Sequence, residues 1–317
     1  MEDYPRTLVE LERRFSTEET CREYLEKLRW PEGFVCPNCQ NQKAWPKGTL
    51  QECSTCGYQV SVTAGTIFHR TRTPLTIWFR AIWWVVSQKN GASALGLKRI
   101  LGLGSYQTAW TWLHKVRRAM IRPGRDSLLG RVEVDETYVG GLEEGVRGRQ
   151  TLKKALVVIA AEERGKRAIG RIRMQRVADA SAKSLRPFLV ACIQPGSTIH
   201  TDDWLGYNGL KDIGFTHEIT TISAHRANAS DLLPRVHRIA SLLKRWLLGT
   251  HQGAVSREHL DSYLDEFTFR FNRRTSGSRG KLFYRLLQNA VQVEAVPYHQ
   301  IIKHVRGPAP KIHNHDI

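Results

Sequence analysis

Two short cysteine pairs are the feature that most constrains how this chain can fold. Cys36 and Cys39 lie in "CPNC", and Cys53 and Cys56 lie in "CSTC", with thirteen residues between the two pairs. Each pair presents two thiolates from one tight turn, and four thiolates suit a closed tetrahedral zinc site of the structural kind. A segment this short has almost no apolar core, so zinc binding has to supply its folding free energy. We therefore predict a zinc ribbon over residues 31–66 that holds one structural Zn²⁺.

The charge balance indicates a polyanionic partner. The chain has 48 Lys and Arg against 30 Asp and Glu, which gives a formal net charge of +18. The longest apolar run, "LTIWFRAIWWVV", falls short of the roughly 20 residues that span a bilayer and is interrupted by Arg80. The N-terminus also lacks the basic stretch and apolar core of a signal peptide. We expect a cytoplasmic, nucleoid-associated protein that binds double-stranded DNA and no membrane.

Helical patterns lie on both sides of the ribbon. Residues 1–30 predict an N-terminal helical segment, and residues 67–125 predict a helix-turn-helix-like DNA-binding segment. Thr73 followed by Pro74 predicts a helix start, with the threonine as N-cap. Two further helices are expected to meet at Gly102–Gly104, with Ser105 as the N-cap of the second.

The second of these two helices has two distinct faces. Its apolar residues repeat at intervals of three and four and predict a packed face made of Ala109, Trp112, Leu113, Val116 and Met120. The opposite face carries Gln107, Thr111, His114, Lys115 and Arg118. This division suits a recognition helix, and we predict DNA contacts from Gln107, Thr111, Lys115 and Arg118. An ordinary amphipathic helix with a solvated polar face is the alternative.

Residues 126–275 predict a catalytic domain. Three strand-like segments, a helix, a fourth strand and later helices give the order of an RNase H-like α/β fold with a mixed five-stranded sheet. Asp135 lies on the first strand and Asp202 at the end of the fourth. These strands are neighbours in that topology, so the two carboxylates could share Mg²⁺ or Mn²⁺. Asp203, Glu133 and Glu136 are rivals for the same role.

A third candidate ligand lies in "PRVHRIASLLKR". On a helix His237, Ser241 and Lys244 share one face, which is opposite an apolar face. Pro234 suits the first turn, and Gly249 suits the C-terminal cap. His237 is therefore expected to project from an anchored helix toward the two aspartates.

Several long motifs in order carry a family resemblance. They are "RWPEGFVCPNC", "TAGTIFHRTRTPLTIWF", "VEVDETYVGG", "HTDDWLGY", "SLLKR" and "HLDSYLDEFTFRFNRR". With them the chain resembles insertion-sequence transposases that have an N-terminal zinc ribbon and an ISXO-two-like DDE-type catalytic domain. The resemblance implies Mg²⁺-dependent cleavage at transposon ends, strand transfer into target DNA and a homo-oligomer on DNA. It also implies that Asp135 and Asp202 are the catalytic aspartates and that Lys244, beside Arg245, contacts transposon-end DNA.

His237 departs from the glutamate that most DDE transposases have. Imidazole is a softer ligand than carboxylate, so Mg²⁺ should be held less tightly, and Mn²⁺ should be affected less. Three readings are open: an active Asp-Asp-His site with metal bound by Asp135, Asp202 and His237, a degenerate catalyst, or a site completed by another acid. The candidate acids for that last case are Glu258, Asp261 and Glu266.

The C-terminal part is basic. The run "RFNRRTSGSRGK" predicts DNA-backbone contacts by Arg273 and Arg274. Residues 276–317 predict a C-terminal helix and a basic tail, with the helix "LFYRLLQNAVQ" near the catalytic core. The expected function is that of a DNA transposase, which binds transposon ends, hydrolyses phosphodiester bonds there and transfers the 3′ ends to target DNA by a two-metal-ion mechanism. The alternative is a catalytically inactive, transposase-derived DNA-binding regulator.

Overall fold

The chain forms two compact units in a computed structural model. The structure describes residues 2–122, 124–141, 154–165, 168–221, 232–253 and 255–302. The terminal unit consists of Met1–Pro123 and Ser276–Ile317, and the central unit consists of Gly124–Thr275. Within the described ranges, no helix is both long enough and apolar enough to cross a membrane.

The helices and strands are numbered along the chain. They are α1 (Leu8–Arg14), α2 (Glu18–Arg29), β1 (Ala44–Lys47), β2 (Leu50–Cys53), β3 (Gln59–Ser61), α3 (Leu75–Ser87), α4 (Ala94–Leu101), α5 (Tyr106–Ala119), β4 (Arg131–Val139), β5 (Ala155–Arg164), β6 (Ala168–Val177), α6 (Ala182–Cys192), β7 (Thr198–Thr201), β8 (Thr216–Ile219), α7 (Pro234–His251), α8 (Leu260–Asn272), α9 (Arg279–Ala290) and α10 (Tyr298–Ile302). Short 3₁₀ turns lie between β7 and β8 at Leu205–Tyr207 and Lys211–Ile213.

The N-terminus of α3 is capped by a residue from α2. Pro74 is the N-cap residue and makes no side-chain cap bond, so the prediction of a Thr73 cap with Pro74 inside the helix was wrong. Instead the two carboxylate oxygens of Glu18 accept hydrogen bonds from the backbone N–H groups of Leu75 and Thr76, each at 3.0 Å. A carboxylate suits the positive end of a helix and satisfies amides that have no intrahelical acceptor.

The α4–α5 pair forms as the turn residues predict. Gly102 ends α4 with φ +62°, and the Ser105 side chain accepts a hydrogen bond from the Thr108 amide at the start of α5. The predicted apolar face of α5 is buried. The expectation that His114 lies on the open polar face was wrong, because His114 is 4% exposed and its ring centroid is 4.1 Å from that of Trp110.

Helix α9 belongs to the terminal unit. Phe283 is fully buried there, and its ring centroid is 5.6 Å from that of Phe79 and 5.7 Å from that of Trp83, both on α3. The helix that was expected near the catalytic core thus packs on α3 within the terminal unit. The apolar stripe of α9 packs against aromatic residues of α3. The periodicity of the α9 sequence indicates the stripe but does not identify this partner.

The central unit is a mixed sheet covered by helices on both faces. Its strand order is β6-β5-β4-β7-β8, with β4 antiparallel to β5 and parallel to β7. Alternate residues of β5 point to opposite faces, so Val158 packs with α6 while Val157 packs with α7 and α8. This is the predicted RNase H-like fold, and the prediction is confirmed.

Helix α7 carries the third candidate ligand and extends further than the predicted C-terminal cap at Gly249. Pro234 occupies its first turn as predicted, but the helix continues past Gly249. Gln252 is the C-cap residue, with φ 53°, so the assignment of Gly249 as the cap was wrong. The following amide, that of Gly253, returns a hydrogen bond to the Leu247 carbonyl at 3.1 Å, which closes the last turn without a glycine at the cap.

Candidate active site and zinc centre

The two predicted catalytic aspartates lie on neighbouring parallel strands. Glu133 of β4 pairs with His200 of β7. Asp135 lies two residues further along β4. Asp202 lies two residues after His200, directly after the last residue of β7. Residues paired across parallel strands point to the same face, and Val134, between the acids of β4, packs on the α6 side. Glu133 and Asp135 therefore point to the face that α7 covers.

Helix α7 brings His237 to Asp135. The Nε2 atom of His237 lies 3.5 Å from Oδ2 of Asp135, and the two side chains are 34% and 21% exposed. Burial lowers the pKa of His237, although the nearby charges of Glu133 and Asp202 raise it in part. The imidazole is thus favoured in its neutral form, which is the form that binds a metal.

Asp202 is close to this pair, but its carboxylate is held by its own turn. Its Oδ1 atom accepts a hydrogen bond from the Trp204 amide at 3.1 Å. Among the described residues, two groups of three or more His, Cys, Asp and Glu have ligand atoms that all lie within 4.8 Å of one another, and Asp135, Asp202 and His237 are not one of them. The structure therefore brings Asp135 and His237 together directly, and Asp202 directly follows the neighbouring strand β7.

Glu133 anchors the start of α7. The N-cap residue Leu233 makes no side-chain cap bond. Instead Oε2 of Glu133 accepts hydrogen bonds from the backbone N–H groups of Arg235 at 2.7 Å and Val236 at 3.1 Å. Its Oε1 lies 2.6 Å from Nη1 of Arg235. Glu133 lies two residues before Asp135 on β4, and Arg235 lies two residues before His237 on α7. The contact between Glu133 and Arg235 therefore fixes α7 close to both candidate ligands.

Arg235 extends this anchor to the β5–β6 turn. Its Nε donates to the carbonyl oxygen of Ala168 at 3.1 Å, and its Nη2 donates to that of Gly165 at 2.8 Å. Its Nη1 also lies 3.2 Å from Oε2 of Glu163. Arg235 and Glu133 are both buried, so this is a structural ion pair, and sequence reasoning assigned a role to neither Arg235 nor Glu163.

A second group with metal-ligand spacing surrounds this anchor. It consists of Glu133, Glu163 and His200. The Nδ1 atom of His200 lies 3.6 Å from Oε1 of Glu163. The Arg235 guanidinium already supplies the positive charge between the two glutamates, so the donor set fits an ion-pair network better than a divalent cation.

The acids considered as alternatives to Asp135 and Asp202 either have another hydrogen-bond partner or are exposed to solvent. Glu136 accepts a hydrogen bond from the Tyr207 hydroxyl at 2.8 Å. Burial and the charges of Glu136 and Asp135 raise the pKa of Tyr207 well above its usual value, so this hydroxyl stays protonated. Asp203, beside Asp202, is exposed.

The acids proposed as substitutes for His237 lie on or before α8. That helix packs against β6, which is separated from β4 by β5. Asp261 is 3.4 Å from Nε of Arg176, and the buried Glu266 is 2.8 Å from Nε of Arg270. Glu258 is exposed before the helix. The two acids on the helix are thus paired with arginines, and α8 lies against a strand two positions away from Asp135.

The predicted DNA contacts differ in exposure. Lys244 and Arg245 are exposed on α7, as is Gln107 at the start of α5. Thr111, Lys115 and Arg118 are half-buried, and burial lowers the pKa of both Lys115 and Arg118.

The two arginines after α8 are held by backbone carbonyls. Nη1 of Arg273 donates to the carbonyl of Phe269 at 3.4 Å. Arg274 donates to the carbonyls of Gly170 and Ile169 on β6, so its side chain also fastens the end of α8 to the sheet.

The four predicted zinc ligands come together in the ribbon. The Sγ atoms of Cys36 and Cys56 are 3.7 Å apart, and those of Cys39 and Cys53 are 3.5 Å apart. Tetrahedral Zn–S bonds of about 2.3 Å require sulfur atoms roughly 3.8 Å apart, so the four thiols fit one zinc ion. The Cys56 amide lowers the pKa of the Cys53 thiol to about 6, which favours the thiolate that zinc needs. The four thiols are thus arranged as a structural zinc site requires.

Two segments of the chain match known domains. Residues 127–272 match the ISXO2-like transposase domain, and residues 16–59 match the transposase zinc-ribbon domain. Among solved structures, a chain in the cryo-EM structure of the simian T-cell lymphotropic virus intasome in complex with PP2A regulatory subunit B56 gamma is similar, with a TM-score of 0.32 and 14% identity. That match covers 64% of this chain and 74% of the other. No curated protein matches the chain in sequence.

Proposed function

The chain belongs to the transposases that join a zinc ribbon to an ISXO2-like DDE-type domain, and on this premise we propose that it cuts DNA at transposon ends and transfers the 3′ ends to target DNA. Water attacks a phosphodiester at the transposon end, the phosphorus–oxygen bond breaks, and a 3′ hydroxyl is released. That hydroxyl oxygen then attacks a phosphodiester of the target, whose own 3′ oxygen leaves. The reaction needs no oxidant or reductant.

The observation that carries this proposal is the approach of His237 to Asp135. Two ligand atoms that lie 3.5 Å apart can bind the same divalent ion at the usual metal–ligand bond lengths of about 2.1 Å. Asp135, Asp202 and His237 would hold Mg²⁺ or Mn²⁺, and the ion supplies charge stabilisation and lowers the pKa of the attacking water. The neutral imidazole of His237 offers Nε2 as a ligand, and the anchor at Glu133 sets its position.

The positive residues have roles in DNA binding under this proposal. Lys244 and Arg245 are exposed on the helix that carries His237, so they can neutralise phosphates of the DNA next to the cleaved bond. Residues 1–125 would recognise the ends through the ribbon and the α4–α5 pair. Two ends have to be joined to one target, so the active form would be a homo-oligomer on DNA at the nucleoid.

Cleavage of a transposon-end duplex tests the proposal. The substrate is a labelled duplex that carries the DNA flanking the reading frame, and the proteins are the wild type, Asp135→Ala, Asp202→Ala and the control Asp203→Ala. We expect the first two variants to lose cleavage and strand transfer by at least about 100-fold while they still bind DNA. Asp203→Ala should stay close to the wild type because this exposed neighbour is outside the proposed ligand set.

Two results would contradict the proposal. If wild-type protein binds the end duplex and never cuts it, the DNA-binding regulator becomes the better account. If Asp135→Ala cuts as fast as wild type, the chemistry is carried by other residues.

A further inference from the structure

A pocket lies in the central unit, on the α6 face of the sheet that carries the candidate active site. Its volume is about 520 Å³, within the usual range for a small ligand. Its walls combine aromatic rings, cations and the first turn of α6. The residues that matter here are Tyr138, Lys154, Ala182, Trp204, Gly206 and Arg257.

The pocket is next to both candidate catalytic strands. The backbone amide of Trp204 donates to Oδ1 of Asp202 at 3.1 Å. Tyr138 follows Asp135 by three residues on β4, so its side chain points to the α6 face of the sheet, while Asp135 points to the α7 face.

The aromatic wall is fixed before any ligand binds. The indole Nε1 of Trp204 donates to the carbonyl oxygen of Ala180 at 2.7 Å, which sets the plane of the ring. Gly206 lies so close to this loop that a Cβ there would collide with the same carbonyl oxygen. The short turn after β7 therefore packs tightly against the start of α6.

The charges of the pocket favour an anion. Lys154 and Arg257 lie in its lining, and α6 has no acidic residue in its first turn. The acid of the lining is Asp179, whose Oδ1 accepts a hydrogen bond from the Ser181 amide at 2.9 Å and so belongs to the loop that starts α6. Two cations beside the positive end of a helix suit a phosphate.

We propose that this pocket binds one extrahelical nucleotide of the DNA, with its base against Trp204 and its phosphate toward Lys154 and Arg257. A base that is stacked within a duplex cannot enter a concave pocket, so the nucleotide has to leave the stack. Aromatic stacking combined with positive charge is how proteins hold unpaired nucleotides. The inference rests on the proposed function, because the nucleotide would belong to the DNA that the same domain would cut.

Fluorescence of 2-aminopurine tests the pocket without any need for cleavage. The probes are a duplex with a four-nucleotide 3′ overhang that contains one 2-aminopurine and a blunt duplex with the same base in its interior. Full-length, zinc-loaded protein is titrated in Ca²⁺. We expect wild-type protein to quench the overhang probe and to bind it more tightly than the blunt duplex.

Variants locate the stacking residue. Trp204→Leu should lose the quenching and bind the overhang probe roughly tenfold more weakly, with little change for the blunt duplex, whereas Trp204→Phe should keep part of both effects. Arg257→Ala, at an exposed position, should weaken overhang binding several-fold without a change in zinc content. Tyr298→Leu is the control, because Tyr298 is 37% exposed on α10, an element outside those proposed to bind DNA.

The outcomes separate this inference from the function it rests on. Equal quenching by wild type and Trp204→Leu overturns the pocket, and so does a loss of quenching in Tyr298→Leu alone. Wild-type cleavage of end DNA without Trp204-dependent quenching overturns the pocket and leaves the transposase proposal intact. Trp204-dependent quenching by a protein that never cuts supports the pocket and contradicts the transposase proposal.

Discussion

Oε1 of Glu133 lies 2.6 Å from Nη1 of Arg235, and this buried pair fastens the helix that carries His237 to the strand that carries Asp135. The carboxylate also accepts hydrogen bonds from the first amides of that helix. One side chain therefore satisfies the helix end and aligns it with the sheet. The position of His237 relative to Asp135 depends on this contact.

Glu133→Gln should weaken both the fold and the chemistry. It removes one charge of a buried pair and leaves Glu163 as the carboxylate beside Arg235, so we expect the free energy of unfolding to fall by about 2 kcal/mol. A misplacement of His237 by about 1 Å would lower cleavage by about 100-fold. Chemical denaturation and end cleavage measure the two effects. Arg238→Lys, at an exposed position of the same helix, is the control, and wild-type cleavage by Glu133→Gln would contradict this positioning role.

Loss of one ribbon thiolate should release the zinc. Cys53→Ser removes a ligand from a site whose metal binding supplies the folding free energy of the ribbon, so zinc content should fall from one ion per chain to near zero. Metal analysis of the purified protein measures this. Cys192→Ala removes a thiol of the central unit that is not a ligand and should leave the zinc in place. Full zinc occupancy in Cys53→Ser would show that the four-thiolate site is wrong.

Glu18→Gln should destabilise the terminal unit. It weakens the cap that α3 does not supply for itself, and a charged cap contributes about 1–2 kcal/mol. Urea denaturation compares this variant with Glu19→Gln, which alters only a surface ion pair with Arg22 and should shift stability by less than about 0.5 kcal/mol. Equal stability of the two variants would contradict the cap.

Glu162 should contribute stability that depends on pH. Burial alone would raise the pKa of this carboxyl, but hydrogen bonds and charge from Arg171 outweigh burial and lower it. A lowered folded-state pKa gives stability that is fully present above the unfolded value of about 4.3 and is lost as pH falls through the folded value. The difference in unfolding free energy between wild type and Glu162→Gln should therefore shrink between pH 7 and pH 3. A difference that is constant over this range would contradict the pairing.

Local patterns predicted the elements better than their connections. The two cysteine pairs, the alternation of β4 and the apolar face of α5 each depend on residues near one another in the chain, and the structure contains all three. The caps of α3 and α7 come from Glu18 and Glu133, which are 57 and 102 positions away from the amides they bind. No local pattern indicates such partners.

Other misses have similar physical causes. The strand β8 has four residues without a buried position, so hydrophobic alternation does not reveal it. His114 falls on the polar side of a helical projection, but the terminal unit buries this residue as well. The side of α5 predicted to contact DNA is thus narrower than its sequence indicates.

The role of His237 is the central claim, and end cleavage by His237→Ala and His237→Glu in Mg²⁺ and in Mn²⁺ tests it most directly. We predict that His237→Ala loses cleavage as Asp135→Ala does. His237→Glu should restore cleavage and raise the rate in Mg²⁺ relative to Mn²⁺, because a carboxylate is the harder ligand. If His237→Ala cuts as fast as the wild type in both metals, His237 is not a ligand and the Asp-Asp-His site is wrong.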